Sequence, residues 1–149
     1  MENINTRIRA YMASDNEKLS TIWLDASLSA HAFIGEERLR EQQRLIETTY
    51  LPDSETWVAC QSGEPIGFIS LVDSFIGGLF VAPHYQMQGI GRILVGHAMA
   101  LKEELRLEVY VDNHRALAFY QTLGFEELSR RAIDDDGLPF ETVQLRLKS

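Results

Sequence analysis

The chain has 149 residues, 45% of them hydrophobic and 24% charged, with 22 acidic against 14 basic side chains and a formal net charge of -8. This suits a single folded domain over residues 1–149 and is wrong for a disordered chain. No apolar run approaches the roughly 20 residues that span a bilayer, the one cysteine excludes a disulfide framework or multi-cysteine zinc site, and the acidic balance argues against nucleic acid as a partner.

Residues 4–9 alternate as a first strand. Ser14 and Glu17 have capping-box spacing, and Leu19, Ile22, Trp23 and Ala26 then recur at helical spacing to about residue 29. The pattern breaks over residues 30–34. A second helix is expected over 36–50, with Leu39, Ile46 and Tyr50 on one stripe and Pro52 just beyond its end. Strands follow at 56–60, 66–72 and 75–81, with turns at 61–64 and 73–74. A Gly-rich stretch opens an amphipathic helix with Ile90, Leu94, Ala98, Leu101 and Leu105 on one face. A strand at 107–111 leads to a helix capped by Asp112 or Asn113, carrying Ala116, Phe119, Tyr120 and Leu123, and ended by Gly124. A hairpin, 125–133 and 140–147, closes the chain around the acidic turn at 134–137. The order β-α-α-β-β-β-α-β-α-β-β implies an α/β fold: a mixed sheet of about seven strands with helices on both faces and one right-handed parallel crossover between residues 75 and 111.

The segment between the fourth strand and the third helix carries the chemistry. It reads Leu79-Phe80-Val81-Ala82-Pro83-His84-Tyr85-Gln86-Met87-Gln88-Gly89-Ile90-Gly91-Arg92. Glycine admits positive φ and close approach of a ligand to the main chain. The first amides of the following helix lack intrahelical acceptors, and the helix dipole favours an anion there. These features describe a phosphate cradle, with Arg92 able to add charge. A Rossmann fingerprint would need glycine where Leu94 stands, and a Walker loop would need lysine where His97 stands.

Gln86-Met87-Gln88-Gly89-Ile90-Gly91, after Val81-Ala82-Pro83, resembles the acetyl-CoA motif of the GNAT superfamily of N-acetyltransferases. A second family pattern recurs as Asn113-His114-Arg115-Ala116-Leu117-Ala118-Phe119-Tyr120, followed by Gly124-Phe125. The resemblance spans the whole chain. It implies a mostly antiparallel sheet and acetyl-CoA as cosubstrate, with no metal. Amides from Gln86 to Arg92 would hold the pyrophosphate. Leu79, Phe80 and Val81 would pair with the pantetheine arm where the fourth and fifth strands splay apart, and Gly77-Gly78 would form a bulge. Asn113 would order the arm, Tyr120 would be the general acid for the departing CoA thiolate, and an amide near Phe80 or Val81 would meet the oxyanion. The stretch around His31 is similar to small bacterial members and places His31 and Phe33 at the acceptor pocket. Many relatives carry Arg, Gly and Lys where this chain has Gln86, Met87 and Gln88, so this loop is less basic and weaker binding of CoA is expected.

The acceptor is expected to be a small-molecule or peptide amine, with no nucleic acid and no membrane, on a cytoplasmic protein that is a monomer or homodimer. Cys60 is read as a core residue, His84, His97 and His114 as exposed, and Trp23 as packing. The acidic turn lacks the ligand spacing of a calcium loop. Two other readings stay open: a non-catalytic acetyl-CoA sensor of the same fold, and a nucleotide-binding protein. The general base is not identified by the sequence.

Overall fold

In the computed structural model, which describes residues 5–30, 32–134 and 137–148, seven strands join one sheet. The strands are β1 (Thr6–Ala10), β2 (Glu55–Gln61), β3 (Glu64–Val72), β4 (Phe75–Val81), β5 (Glu104–Tyr110), β6 (Glu126–Arg131) and β7 (Thr142–Lys148). Their spatial order is β1-β2-β3-β4-β5-β7-β6, and only β4 and β5 run parallel. The longer helices are α1 (Asn16–Ala30), α2 (Glu36–Leu45), α3 (Ile90–Lys102) and α4 (His114–Thr122).

Each face of the sheet has its own core. Ile90, Leu94 and Ala98 of α3 and Tyr120 of α4 pack over Ile69, Leu105, Leu107, Val109, Val143 and Leu145. Leu19, Ile22 and Trp23 of α1 and Leu39 of α2 pack over Val58, Cys60 and Phe68 on the other face. Period-2 alternation along β5 produces this division: Leu105, Leu107 and Val109 are buried on the α3/α4 side.

Four local expectations change. Ser14 and Glu17 form no capping box: Ala13–Asp15 is a 3-10 turn, and the Asp15 carboxylate accepts the Met12 N–H at 2.9 Å. Asp15 wins because it also takes two 2.8 Å bonds from the Arg9 guanidinium on β1, which hold its carboxyl below the usual carboxylate range. The second helix does not stop before Pro52. It widens into a π turn, Ile46–Tyr50, and continues through Leu51–Asp53, where Pro52 sits in a first turn that has no use for its missing N–H.

Helix α3 ends at Lys102, since Glu103 adopts φ 66° and donates to the Met99 carbonyl at 2.9 Å. Leu105 therefore belongs to β5, and Leu101 is 49% exposed rather than part of the helix's buried face. The closing hairpin is shorter than its hydrophobic pattern: Ile133 and Phe140 lie outside β6 and β7. The turn between β2 and β3 forms as expected, with Ser62 and Gly63 both at positive φ.

Candidate active site

Strands β4 and β5 pair only through Phe75 with Arg106 and Ile76 with Leu107. Beyond Ile76 the edge of β4 that faces β5 has no ladder partner, while β3 pairs with β4 out to Val81. The parting begins at a bulge, where the β3 register steps from Ser70 opposite Gly78 to Leu71 opposite Ile76 and leaves Gly77 as the extra residue. A Cβ on Gly77 would stand 3.0 Å from Cε1 of Tyr50, the residue that the π turn delivers over the bulge. The bulge and splay expected at Gly77-Gly78 are therefore present.

The loop after β4 is pinned at both ends. Gln86 donates from Nε2 to the Val81 carbonyl at 3.0 Å, and Gln88 donates from Nε2 to the His84 carbonyl at 3.3 Å. Gly89 is the helix N-cap at φ 85°, a left-handed conformation that a side chain would strain. The helical ladder starts with Ile93 donating to Gly89 at 3.0 Å, so the amides of Ile90, Gly91 and Arg92 have no intrahelical acceptor. Arg92 is exposed, as is Met87, which holds φ 65° at the loop's tip. Gly91 serves packing: a Cβ there would lie 3.1 Å from Cζ of Phe119, which seats α4 against the start of α3. Arg115 of α4 also reaches Gln86, Nη1 to Oε1 at 3.5 Å. The cradle is thus main-chain amides and one free helix terminus, with Arg92 close in sequence, and it fits a diphosphate.

Helix α4 carries the other two motif residues. Asn113 is its N-cap, and its Oδ1 accepts the Ala116 N–H at 3.2 Å. Tyr120 is 7% exposed, with its ring edge-on to Phe119 and Phe125 at 5.2 Å each. Burial raises the Tyr120 pKa well above the ordinary phenol value, and no hydrogen bond holds its hydroxyl among the described residues.

On the opposite face the splay opens into a cleft of about 320 Å³. Trp23, Phe68 and Phe80 give it apolar surface, and Tyr50, Ser70, Glu108, Tyr110, Asp134 and Thr142 add polar groups. Sequence reading gave none of these polar residues a role in a site, placing Tyr50 on a helical stripe and Asp134 in a turn; alternation along β5 was the signal that could have found Glu108 and Tyr110. Arg131 donates to both Glu108 carboxylate oxygens, at 2.9 and 2.7 Å. The Tyr110 hydroxyl donates to Asp134 at 2.9 Å, and the Leu138 amide donates to its other oxygen at 2.8 Å.

Of the two expected acceptor residues, His31 lies outside the described residues. Phe33 packs edge-on to Tyr110 and Phe140, with ring centres 5.3 and 5.1 Å away, so it buttresses a cleft residue. Cys60 is a buried core residue. His84 and His114 are exposed, but His97 is not: its ring lies 4.5 Å from Trp57, and its Nε2 is buried. Amphipathic spacing alone left His97 on the helix's polar side, but β2 presents Trp57 to that side. Among the described residues no cluster of His, Cys, Asp or Glu is arranged to hold a metal ion, and no helix is long and apolar enough to cross a membrane.

Residues 16–125 match the model of the acetyltransferase (GNAT) family. The chain is 34% identical to the peptidyl-lysine N-acetyltransferase YjaB of Salmonella typhimurium, over 93% of this chain and 95% of that protein. It is 32% identical to the peptidyl-lysine N-acetyltransferase YiaC of Escherichia coli, over 89% of this chain and 91% of that one. The solution structure of apo YjaB from Escherichia coli superposes with a TM-score of 0.87 at 31% identity, covering 97% of this chain and 99% of the other.

Proposed function

This chain belongs to the acetyltransferase (GNAT) family and is an acyltransferase that uses acetyl-CoA, and from that premise we propose that it acetylates a primary amine of a polypeptide, the Nζ of a lysine, by direct attack on the thioester. The observation that carries this reading is the parting of β4 from β5 beside a turn with unengaged amides. An extended arm can add to the open edge of β4 while its diphosphate rests on the amides of Gly89, Ile90, Gly91 and Arg92. The lysine-modifying relatives point to the acceptor.

The chemistry follows from the needs of the reaction. A lysine ammonium has a pKa near 10.4, so roughly one in a thousand is neutral at pH 7. The ammonium gives up a proton to cleft water, and the neutral amine attacks the carbonyl carbon. The C–N bond forms while the carbonyl π electrons move to oxygen, where the Val81 amide on the open edge of β4 donates to the oxyanion; the Phe80 amide faces β3. The nitrogen loses its second proton, the carbonyl re-forms and the C–S bond breaks. Tyr120 supplies the proton to the thiolate and is reprotonated from solvent. Burial keeps the Tyr120 phenol protonated and makes it a weaker donor, so the transfer depends on the thiolate being held against the hydroxyl. Asn113 fixes the start of α4 and so the height of Tyr120 above the gap.

The test is thiol release from acetyl-CoA with a panel of a lysine peptide, a peptide with a free N-terminal amine and no lysine, and small alkylamines. The lysine peptide should give the highest kcat/KM, with mass spectrometry placing the acetyl group on Nζ. Thiol release no faster than the enzyme-free blank with every acceptor would overturn the reading.

A further inference from the structure

The cleft has two unlike walls, and the difference describes the group it receives. On β5, Glu108 and Tyr110 alternate with the buried Val109 and so face the α1/α2 side. Thr142 stands opposite Tyr110 in the β5–β7 ladder, and Arg131 stands opposite Thr142 in the β6–β7 ladder. These four side chains share one face of the sheet. The Glu108 side chain is 13% exposed, and Arg131 engages both its oxygens with one bond each. An ionised carboxylate offers about four acceptor positions, so Glu108 keeps capacity for another donor. Asp134, buried and lining the same cleft, is fixed in place by Tyr110 and Leu138. Thr142 is 3% exposed and lines the same cleft, yet its hydroxyl is buried without a partner among the described residues. A buried hydroxyl left unsatisfied is a cost to the free protein that a bound ligand can remove.

Resting on the acetyltransferase reading, we propose that Glu108, Asp134 and Thr142 form the subsite that selects the acceptor by its positive charge. The ammonium meets Glu108 and Thr142 on β5 and β7 and Asp134 from the β6–β7 loop, a wall that keeps one net negative charge after Arg131 pairs with Glu108, and its aliphatic stem lies along Trp23, Phe68 and Phe80. Held there, the nitrogen stands on the acceptor side of the opening that β4 leaves beyond Ile76. The chain's net charge of -8 attracts the same basic segments at long range.

The experiment measures equilibrium binding of two peptides to the protein in the presence of CoA, which gives no turnover. One carries a single lysine and the other has norleucine there, with the same stem and no charge. The wild type should prefer the lysine peptide by about tenfold. Glu108→Gln and Asp134→Asn, each isosteric and neutral, should reduce that preference to about threefold or less while CoA affinity is unchanged. A residue with only a structural role would weaken both peptides together. No preference in the wild type, or a preference intact in both variants, would overturn the proposal. Should neither variant fold, Thr142→Val decides. It breaks no hydrogen bond among the described residues, so Tm should hold or rise while lysine-peptide affinity falls, and unchanged affinity would overturn the proposal. Thiol release by the wild type is scored separately: its absence removes the acetyltransferase reading and this subsite with it, whereas turnover without charge preference removes the subsite alone.

Discussion

Tyr120 and Glu108 stand on opposite faces of one sheet. Tyr120 packs in the core that contains Val109, and Glu108, the preceding residue on β5, lines the cleft on the other side. The two faces communicate where β4 leaves β5 beyond Ile76. On the proposed mechanism an acid on the α4 side and an amine from the α1/α2 side would meet in that opening, and the substitution that tests each can leave the other's environment intact.

Replacing Tyr120 with Phe removes one hydroxyl and breaks no hydrogen bond among the described residues, so Tm should hold or rise. Loss of a positioned acid should lower kcat by about 100- to 10,000-fold with CoA affinity retained, measured by thiol release and calorimetry. Burial raises the Tyr120 pKa, so the protonated acid persists to higher pH than an ordinary phenol. The wild-type kcat should accordingly show no alkaline decline below about pH 10. A wild-type kcat in the variant would show that the hydroxyl is not the acid.

The order of elements and the β4–α3 turn were legible because they depend on local signals: period, glycine placement and caps. The cleft was not. Glu108 and Asp134 are 26 residues apart, and nothing near either one announces the other; the sheet brings them together by inserting β7 between β5 and β6. Asp15 displaced the Ser14 cap because its partner, Arg9, sits on a strand, and no local pattern includes that bond. The π turn at Ile46–Tyr50 was hidden for the opposite reason: its sequence continues a helical stripe, and only the approach of Tyr50 to Gly77 shows what the wider turn accomplishes.

The loop invites repair toward a more basic form. Met87 holds φ 65°, a conformation that costs a side chain about 1–2 kcal/mol, partly offset by the about 0.5–1 kcal/mol that glycine loses on folding. Met87→Gly should change stability by about 0–1.5 kcal/mol in the favourable direction in urea melts. Gln88→Lys should tighten CoA binding by about 3- to 10-fold at low salt, and the gain should fade toward 1 M salt. The wild-type dissociation constant for CoA should be no tighter than about micromolar; a value clearly below that in calorimetry would contradict the reading of this loop as charge-poor.

Two glycines should respond in opposite directions. A Cβ on Gly78 would lie 2.7 Å from Cε2 of Phe80, whose ring is held by Trp23 and Phe68 with centres 6.2 and 5.6 Å away. Gly78→Ala should therefore destabilise by about 1–3 kcal/mol, the range for overpacking. Gly96 lies inside α3 on its exposed side, with nothing within 4 Å of an added Cβ. Gly96→Ala should stabilise by about 0.8–1 kcal/mol through helix propensity alone. Thermal and urea melts of the two variants check the pair, and a shared sign would contradict the packing described for β4.

Acid should act through Asp15. The Arg9 guanidinium lowers its pKa in the folded chain, so as pH falls the unfolded chain takes up the proton first. The stabilisation is complete above the unfolded value of about 3.9 and disappears as pH falls through the lower folded value. Asp15→Asn should cost about 1–3 kcal/mol at pH 7, for weakened bonds to Arg9 and Met12 at a buried site. That deficit should shrink steadily below about pH 4, as the wild type's own carboxylate is neutralised. Urea melts at pH 7 and at successive steps down to pH 2.5 follow the difference. A gap of constant size would mean that Asp15 contributes by shape rather than by charge, and would remove the ion pair from the account of how β1 anchors α1.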